Sequence, residues 1–322
     1  MTPLRESDLA VLLAKYGFER LESYWPASHG IENSNYFVRL ASNLGPHEVV
    51  VTMLEQPASA GPLLVPLLDA CNTAGLPVAP IIRNRHGAAT DQINGKPALV
   101  APRLSGRHVL NPTVRQCESV GRFLARFHAV TVSLSQGAPA YPRDEAWLAQ
   151  QVESIKSLVP YSDFRLARDA ATAIGSMLHR QDVKDLPRGV IHGDLFRDNV
   201  LFSERGLTGV LDFHHAAGGH WIYDLAVAAN DWCSDNTGLL DPDRTLALLR
   251  AYHAIRPLVA TEVWFFPAFA LYAATAFWLS RLTVALRREE GVVVRLKNPK
   301  EFQRIVEQHM AHFFYLDARL LE

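Results

Sequence analysis

The stretch from Val190 to Phe213 limits what this chain can fold into more than any other, because its polar side chains follow a fixed spacing. A short apolar run leads to His192 and Asp194, and Asn199 follows after four further residues. Two strand-like segments around a polar turn then end at Asp212. Three residues fixed at such positions recur by chance about once in 8,000 windows. The pattern therefore favours a reactive site over an ordinary hairpin with polar ends.

A hairpin would bring the two ends of this stretch together. Residues 199–202 and 207–211 have the character of strands, and the chain can close at Arg205–Gly206. Asn199 and Asp212 are symmetric about that turn, so an antiparallel pairing would set the amide opposite the carboxylate. Such oxygens suit a hard divalent cation, and an aspartate beside them can act as a general base.

Composition excludes several classes of protein. The chain has 322 residues, 48% of them apolar, and a net charge of −1, so it can bury a large core and shows no excess of cations for binding nucleic acid. Its cysteines, Cys71, Cys117 and Cys233, form no metal or disulfide motif and are predicted to be buried, reduced thiols. Residues 1–21 lack the apolar core of a signal peptide. We expect a cytoplasmic protein without a nucleic-acid partner.

One apolar segment has to be compared with a membrane span. Residues 263–279 are 17 uncharged residues, fewer than the roughly 20 that a span needs. Pro267 lies near the start, and Glu262 and Arg281 bound the segment. These features predict a buried helix and no association with a membrane.

The hydrophobic periodicity divides the chain into an N-terminal part with strands and a C-terminal part with helices. Strands are predicted at 36–40, 47–54 and 96–103. Helices are predicted at 4–17 (with Ser7 as N-cap), 62–72, 113–130, 144–158, 161–179, 223–232, 242–253, 263–279 and from 299 onward. This order is typical of an α+β protein.

A polar turn with a glycine, residues 28–35, precedes the first predicted strand. Backbone N–H groups in such a turn can hold phosphate oxygens, although many plain hairpins look alike. The candidate nucleotide contacts in this turn are Gly30, Asn33, Ser34 and Asn35.

Several stretches resemble the aminoglycoside-phosphotransferase-like superfamily. They are 32–38, 75–78, 121–128, and 192–202 with Asp212. Within it, residues 32–35, 194–202, 223–225 and 230–233 resemble the bacterial homoserine kinases. The resemblance implies a two-lobed protein-kinase-like fold. Its N-lobe, residues 1–101, would hold an antiparallel sheet with a helix, residues 102–106 would form the hinge, and the mostly helical C-lobe, residues 107–322, would carry the catalytic hairpin.

The resemblance also implies roles for the residues of the hairpin stretch. Asp194 would orient or deprotonate the substrate hydroxyl, and His192 would brace the loop. Asn199 and Asp212 would hold Mg²⁺ against the phosphates of ATP.

One position departs from the protein-kinase pattern. Protein kinases carry a lysine on the third strand, where this chain has Thr52. Threonine cannot neutralise phosphate charge, so Mg²⁺, the N–H groups of the turn or an arginine must neutralise more of that charge. Thr52 is still a predicted nucleotide contact, and the resemblance places the adenine edge near Val100 and Arg103.

An amino-acid substrate needs an anion for its ammonium group and a cation for its carboxylate. Glu32 or Asp231 can supply the anion, Arg197 or Arg281 can supply the cation, and Trp232 can form a pocket wall. A structural ion pair or a core position is the alternative for each. The segment 281–305 holds seven Lys and Arg against three Glu, which argues against a polycationic aminoglycoside.

The predicted function is transfer of the γ-phosphoryl group of ATP, with Mg²⁺, to the hydroxyl of a small amino alcohol. L-Homoserine is the first candidate, which would give O-phospho-L-homoserine in threonine biosynthesis. Choline, methylthioribose, an aminosugar or an aminoglycoside are alternatives, and a non-catalytic, nucleotide-binding pseudokinase is an alternative of another class. The sequence indicates no oligomeric state.

Overall fold

The computed structural model describes residues 2–18, 20–27, 33–41, 47–55, 62–286, 297–312 and 316. The chain divides into two compact units. The first unit comprises residues 1–107 and 201–215, and the second comprises 108–200 and 216–322. The sequence prediction had assigned 201–215 to the C-lobe, whereas these residues group with the first unit.

The elements are numbered along the chain. The helices are α1 (Glu6–Ala14), α2 (Leu64–Thr73), α3 (Val114–Val130), α4 (Glu145–Ile155), α5 (Tyr161–Leu178), α6 (Gln181–Lys184), α7 (Trp221–Trp232), α8 (Pro242–His253), α9 (Ala260–Leu286) and α10 (Pro299–Ala311). The strands are β1 (Arg20–Pro26), β2 (Ser34–Ala41), β3 (His47–Met53), β4 (Asp91–Ile93), β5 (Lys96–Pro102), β6 (Arg188–Ile191), β7 (Val200–Ser203), β8 (Gly206–Val210) and β9 (Ala217–His220).

The first unit is built on a five-stranded antiparallel sheet in the order β1-β2-β3-β5-β4. Buried residues alternate with less buried ones along β2 and β3, as expected for strands with one face in the core. Leu9 and Leu12 of α1 belong to the same apolar cluster as Val38 and Val51. The sheet therefore packs against α1 on one face.

One local prediction in the helices is wrong. Ser7 is not the N-cap of α1, because the helix begins at Glu6 and Arg5 takes that position through its contacts with Asp8. In α3, Val114 is 43% exposed because it is the first helical residue. Thr113 caps this helix by accepting a hydrogen bond from the backbone N–H of Gln116.

The hairpin of β7 and β8 is attached to the first unit by backbone pairing. Val210 forms a parallel bridge with Val78, and Phe202 forms an antiparallel bridge with Arg107. The Phe202 N–H donates to the Arg107 carbonyl at 2.9 Å, and the Arg107 N–H donates to the Phe202 carbonyl at 2.8 Å. These bonds explain why residues 201–215 group with the first unit rather than with the helices.

The turn of this hairpin differs from the prediction. It consists of Glu204 and Arg205 rather than being centred on Arg205–Gly206. Asn199 precedes β7, and Asp212 follows the last residue of β8 by two positions. The two residues are therefore not cross-strand partners, and each takes its conformation from the loop that holds it.

The second unit is mostly helical, with β6 and β9 forming a small antiparallel pair. Its central helix is α9, which by length and composition could cross a membrane, yet 72% of its most apolar window is buried inside the structure. Phe266, Phe269 and Trp278 of this helix are fully buried. The prediction of a buried core helix is confirmed, and the three cysteines are free and buried as predicted.

Candidate active site

The loop from His192 to Asn199, here called the catalytic loop, lies in the second unit and leads from β6 to β7. His192 is fully buried, and its backbone N–H donates to Asp224 at 2.8 Å. The Gly193 N–H donates to the other oxygen of the same carboxylate, also at 2.8 Å. Gly193 has φ +74°, a left-handed conformation that favours glycine. One buried carboxylate thus fixes the start of the loop.

Asp224 is itself held by a buried histidine. Nε2 of His128 lies 3.0 Å from the Asp224 carboxylate, and Nδ1 lies 2.7 Å from the Tyr252 hydroxyl. Burial alone would raise the pKa of Asp224, but hydrogen bonds from His128 and from the His192 N–H bring it below its usual value. Burial lowers the pKa of His128. His128 is therefore a structural histidine, with a hydrogen-bond partner at each ring nitrogen.

Sequence reasoning did not give Asp224 a role of its own. It lies in α7, whose residues from Ile222 to Asn230 are all buried. A single acidic residue among apolar neighbours is costly unless its charge is compensated, and that is the signal in the sequence that could have identified it.

Asp194 and Asn199 contact each other across the catalytic loop. Nδ2 of Asn199 donates to the carboxylate of Asp194 at 2.9 Å and to its backbone carbonyl at 2.8 Å. These two bonds use both amide hydrogens, so the remaining polar atom of Asn199 is its oxygen, the kind of ligand that hard cations prefer. The residues present therefore fit a divalent cation at Asn199.

Asp212 lies in the first unit and has φ +66°, which is uncommon for a residue other than glycine. Its Oδ1 lies 2.9 Å from Nδ1 of His214, and its side chain is 37% exposed. Strained backbone of this kind is concentrated at functional sites. Among the residues that the structure describes, no group of three His, Cys, Asp or Glu side chains could hold a metal. A cation that uses Asp212 would take further oxygens from phosphates and water, as Mg²⁺ commonly does.

The described nucleotide contacts predicted at the start of β2 and on β3 are hydrogen-bonded to neighbouring protein groups. Oγ1 of Thr52 donates to Oδ1 of its cross-strand partner Asn35 at 2.7 Å. Ser34 is hydrogen-bonded to Glu55, and Oδ1 of Asn33 accepts from the Glu55 backbone N–H at 3.3 Å. Burial would raise the pKa of Glu55, but hydrogen bonds from Lys96, Ser34 and Thr2 lower it to about 2. Gly30 and Glu32 lie outside the described residues.

The other two predicted nucleotide contacts are on or beside β5. Val100 is fully buried and pairs with Val51 of β3. Arg103 donates to Glu48 at 2.5 Å, and its guanidinium carbon lies 4.2 Å from the centre of the Phe37 ring. Val100 can therefore offer a nucleotide only its backbone, while the Arg103 charge is partly neutralised.

The predicted substrate contacts Arg197 and Asp231 pair with each other. The Arg197 backbone N–H and Nε both donate to the Asp231 carboxylate, at 2.7 and 3.1 Å. Arg281 donates to Glu301 at 3.0 Å, and burial lowers its pKa. Trp232 is fully buried, and its indole N–H donates to the Leu195 carbonyl at 3.0 Å. The alternative of a structural ion pair therefore describes the contacts of Arg197, Asp231 and Arg281. Trp232 is a core residue beneath the catalytic loop and not a pocket wall.

Replacing Thr52 with valine should have a small effect. Valine keeps the shape of the side chain and removes only the hydroxyl that donates to Asn35. We expect kcat/KM for ATP to change by less than about tenfold, or roughly 1.4 kcal/mol, because a hydroxyl used for cross-strand bonding carries no phosphate charge. Steady-state kinetics at varied ATP, with circular dichroism to check folding, measure this. A loss of three or more orders of magnitude in a folded variant would instead assign the hydroxyl to phosphate chemistry.

Comparison with known proteins now relates this geometry to a family. The family model described as the phosphotransferase enzyme family matches residues 24–258. The homoserine kinase of Pseudomonas aeruginosa is 39% identical over 308 residues, covering 95% of each chain. That of Methylobacillus flagellatus is 35% identical and covers 88% of this chain and 86% of its own.

Solved structures agree on the fold. An amicoumacin kinase in complex with AMP-PNP, Ca²⁺ and Ami has a TM-score of 0.70 at 14% identity, covering 96% of this chain and 94% of its own. A spectinomycin phosphotransferase with ADP and spectinomycin has the same score and identity, covering 96% and 99%. The predicted α+β, protein-kinase-like fold is confirmed. Because the family model covers most of the chain and the curated relatives match nearly all of it, this protein belongs to the phosphotransferase enzyme family and is an ATP-dependent small-molecule kinase.

Proposed function

We propose that this protein is a homoserine kinase, which transfers the γ-phosphoryl group of ATP to the hydroxyl of L-homoserine. The observation that carries the proposal is the 39% identity to a curated homoserine kinase along 95% of both chains. The catalytic loop supports it, because Asn199 holds Asp194 in one orientation by two hydrogen bonds. The substrate hydroxyl would approach that carboxylate.

The proposed reaction exchanges one phosphorus–oxygen bond for another. The side-chain oxygen of homoserine attacks the γ-phosphorus, and the bond from that phosphorus to the bridging oxygen of ADP breaks. The products are O-phospho-L-homoserine and ADP, and the hydroxyl proton passes to Asp194 before release to solvent. Threonine biosynthesis uses this product, and we propose that the enzyme acts in the cytoplasm.

Asn199 and Asp212 are the residues that we propose to hold Mg²⁺. When bound, this ion neutralises charge on the β- and γ-phosphates. Asn199 contributes its amide oxygen, since both of its amide hydrogens are bound to Asp194. His192 is proposed to brace the loop, because its ring nitrogen accepts a hydrogen bond from the Asp194 N–H at 3.3 Å.

For the nucleotide, we propose contacts in the first unit. The predicted turn at residues 28–35, of which Ser34 and Asn35 begin β2, would supply N–H groups to the phosphates. The backbone between Val100 and Arg103, at the proposed hinge of residues 102–106, would meet the adenine edge. Thr52 supports the turn through Asn35.

The deciding experiment is a coupled ADP-release assay. Homoserine, serine, threonine, choline, methylthioribose and kanamycin are compared at equal concentrations of ATP and Mg²⁺. We expect homoserine to exceed serine in kcat/KM by at least about tenfold. When the amino and carboxylate groups of the substrate are bound in place, the one additional methylene of homoserine decides whether its hydroxyl reaches Asp194. A chelator should abolish ADP release. Equal values for serine and homoserine would remove homoserine as the substrate and leave only the kinase assignment.

The same assay tests the pseudokinase alternative. A non-catalytic protein would show nucleotide-dependent shifts in melting temperature without ADP release from any alcohol. Metal-dependent turnover of even one substrate would exclude it.

A further inference from the structure

Phe196 lies within the catalytic loop, and its backbone connects the residues proposed to contact the substrate and the cation. Its N–H donates to the Asp194 carbonyl at 2.8 Å, and its own carbonyl accepts from the Asn199 N–H at 2.9 Å. The Asn199 amide in turn donates to the Asp194 carboxylate at 2.9 Å. The position of Phe196 therefore helps to determine how Asp194 and Asn199 are placed relative to each other.

The Phe196 side chain is enclosed by α9 and α10, and only 2% of the residue is exposed. Its ring centre lies 4.5 Å from that of Phe277 in α9 and 5.6 Å from that of Phe302 in α10. The centres of these two rings are themselves 5.7 Å apart. Offset and edge-to-face ring pairs at such distances attract each other beyond the effect of burial. These three rings, here called the phenylalanine cluster, connect the catalytic loop to both helices.

The guanidinium of Arg281 lies over the phenylalanine cluster. Its central carbon is 4.4 Å from the centre of the Phe302 ring and 5.7 Å from that of the Phe196 ring. Nη1 donates to Glu301 at 3.0 Å, and 10% of the side chain is exposed. A cation within about 6 Å of an aromatic centre is attracted to the ring, and more strongly when it is withdrawn from water. One guanidinium therefore attracts a ring of the loop and a ring of α10 together.

Burial of this cation is costly, so its place needs a physical reason. Burial lowers the pKa of Arg281, and the charges of Asp231, Glu301 and Asp198 act against that shift. An ion pair with Glu301 alone could form at the surface, since the Glu301 side chain is 61% exposed. What the buried position adds is contact with the rings of the phenylalanine cluster.

We propose that Arg281 is a positioning residue, which holds the Phe196 ring in the phenylalanine cluster and thereby keeps Asp194 and Asn199 in their relative places. The proposal rests on the proposed roles of those two residues. Arg281 acts in this scheme through Phe196 and not on the reacting groups. If the Phe196 ring shifts, its backbone carbonyl shifts with it, and small displacements of reacting groups lower the rate of a positioned reaction.

The first test is a double-mutant cycle of Arg281→Met and Phe196→Leu, measured by ADP release with the alcohol that the protein phosphorylates best. We expect each single variant to lower kcat by about tenfold, or about 1.4 kcal/mol, and to change KM for the alcohol by less than about twofold. Because Arg281 acts through Phe196, kcat of the double variant should lie within about twofold of Phe196→Leu. Independent effects would instead multiply to about a hundredfold. If Phe196→Leu does not fold, Phe302→Leu replaces it, since that ring lies under the same guanidinium.

Hydrogen exchange tests the same contact without turnover. The Asn199 N–H is bonded to the Phe196 carbonyl, so its exchange rate reports how often this part of the loop opens. We expect Arg281→Met to speed exchange of the amides of residues 195–199 by about tenfold in the ligand-free protein. Exchange within α3 should stay the same.

Arg180→Met is the matched control. The Arg180 guanidinium lies 5.2 Å from the centre of the Phe265 ring, which is also on α9, and its side chain is 55% exposed. At a rise of 1.5 Å per residue, Phe265 is about 18 Å along the helix from Phe277. The same substitution at this distance should leave both kcat and exchange of the catalytic loop unchanged.

Three results would overturn the proposal. They are losses in kcat that multiply in the cycle, exchange of residues 195–199 that is unchanged in Arg281→Met, and a higher KM for the alcohol at unchanged kcat, which would assign Arg281 to substrate binding. Failure of the proposed function is distinguishable from these results. Asp194→Ala would then keep its turnover, while the exchange experiment would still report whether Arg281 holds Phe196.

Discussion

Replacing Asp194 with alanine is expected to lower kcat by about 10²–10⁴, the usual effect of losing a positioned proton acceptor. The substitution also removes the carboxylate to which Asn199 donates at 2.9 Å, but Asn199 keeps its bond to the backbone carbonyl of residue 194. The loop should therefore stay folded, and KM for ATP should change little. Steady-state kinetics with the preferred alcohol, with ATP varied, measure both effects.

Asp198 provides a matched control on the same loop. It is paired with Lys297 at 2.5 Å, and its side chain is 42% exposed. A partly exposed ion pair contributes at most about 1 kcal/mol to folding stability, and Asp198 has no proposed contact with a reacting group. We therefore expect Asp198→Ala to stay folded and to alter kcat by less than about fivefold. Turnover by Asp194→Ala close to that of the wild-type protein would show that another group accepts the proton.

Local patterns in the sequence predicted most of the fold. Helix α3 has a clear apolar periodicity and a capping residue at Thr113, and its predicted end at Val130 is observed. Strand β1 was not predicted, because it is mostly exposed and its burial does not alternate. Its place in the sheet comes from pairing with β2, which is a property of the folded unit and not of the segment itself.

The candidate site was predicted unevenly, for a physical reason. Asp194 and Asn199 are close in sequence, so the spacing alone places them on one loop, and they are hydrogen-bonded. Arg197 and Asp231 are 34 residues apart, and sequence could name both as substrate contacts without showing that they bind each other. The charge of a residue is visible in a sequence, but the partner that neutralises it is set by tertiary structure.

Asp224→Asn should be the most damaging single substitution outside the reacting groups. The Asp224 carboxylate accepts three buried hydrogen bonds, from the His192 N–H, the Gly193 N–H and His128. An amide can accept through only one oxygen and turns its own N–H groups toward those donors. We expect a loss of about 1.5–3 kcal/mol in the free energy of unfolding, as is typical when hydrogen bonds to a buried charged group are removed.

The same substitution should lower kcat by about a hundredfold, because a shift of about 1 Å in the loop that carries Asp194 misplaces the reacting groups. Urea unfolding and kinetics on the remaining folded protein measure the two effects separately. Asp241→Asn is the control, since Asp241 caps α8 by accepting from the Arg244 N–H at 2.9 Å and asparagine caps equally well. If Asp224→Asn were as stable and active as Asp241→Asn, the loop would have to be fixed by contacts other than those of Asp224.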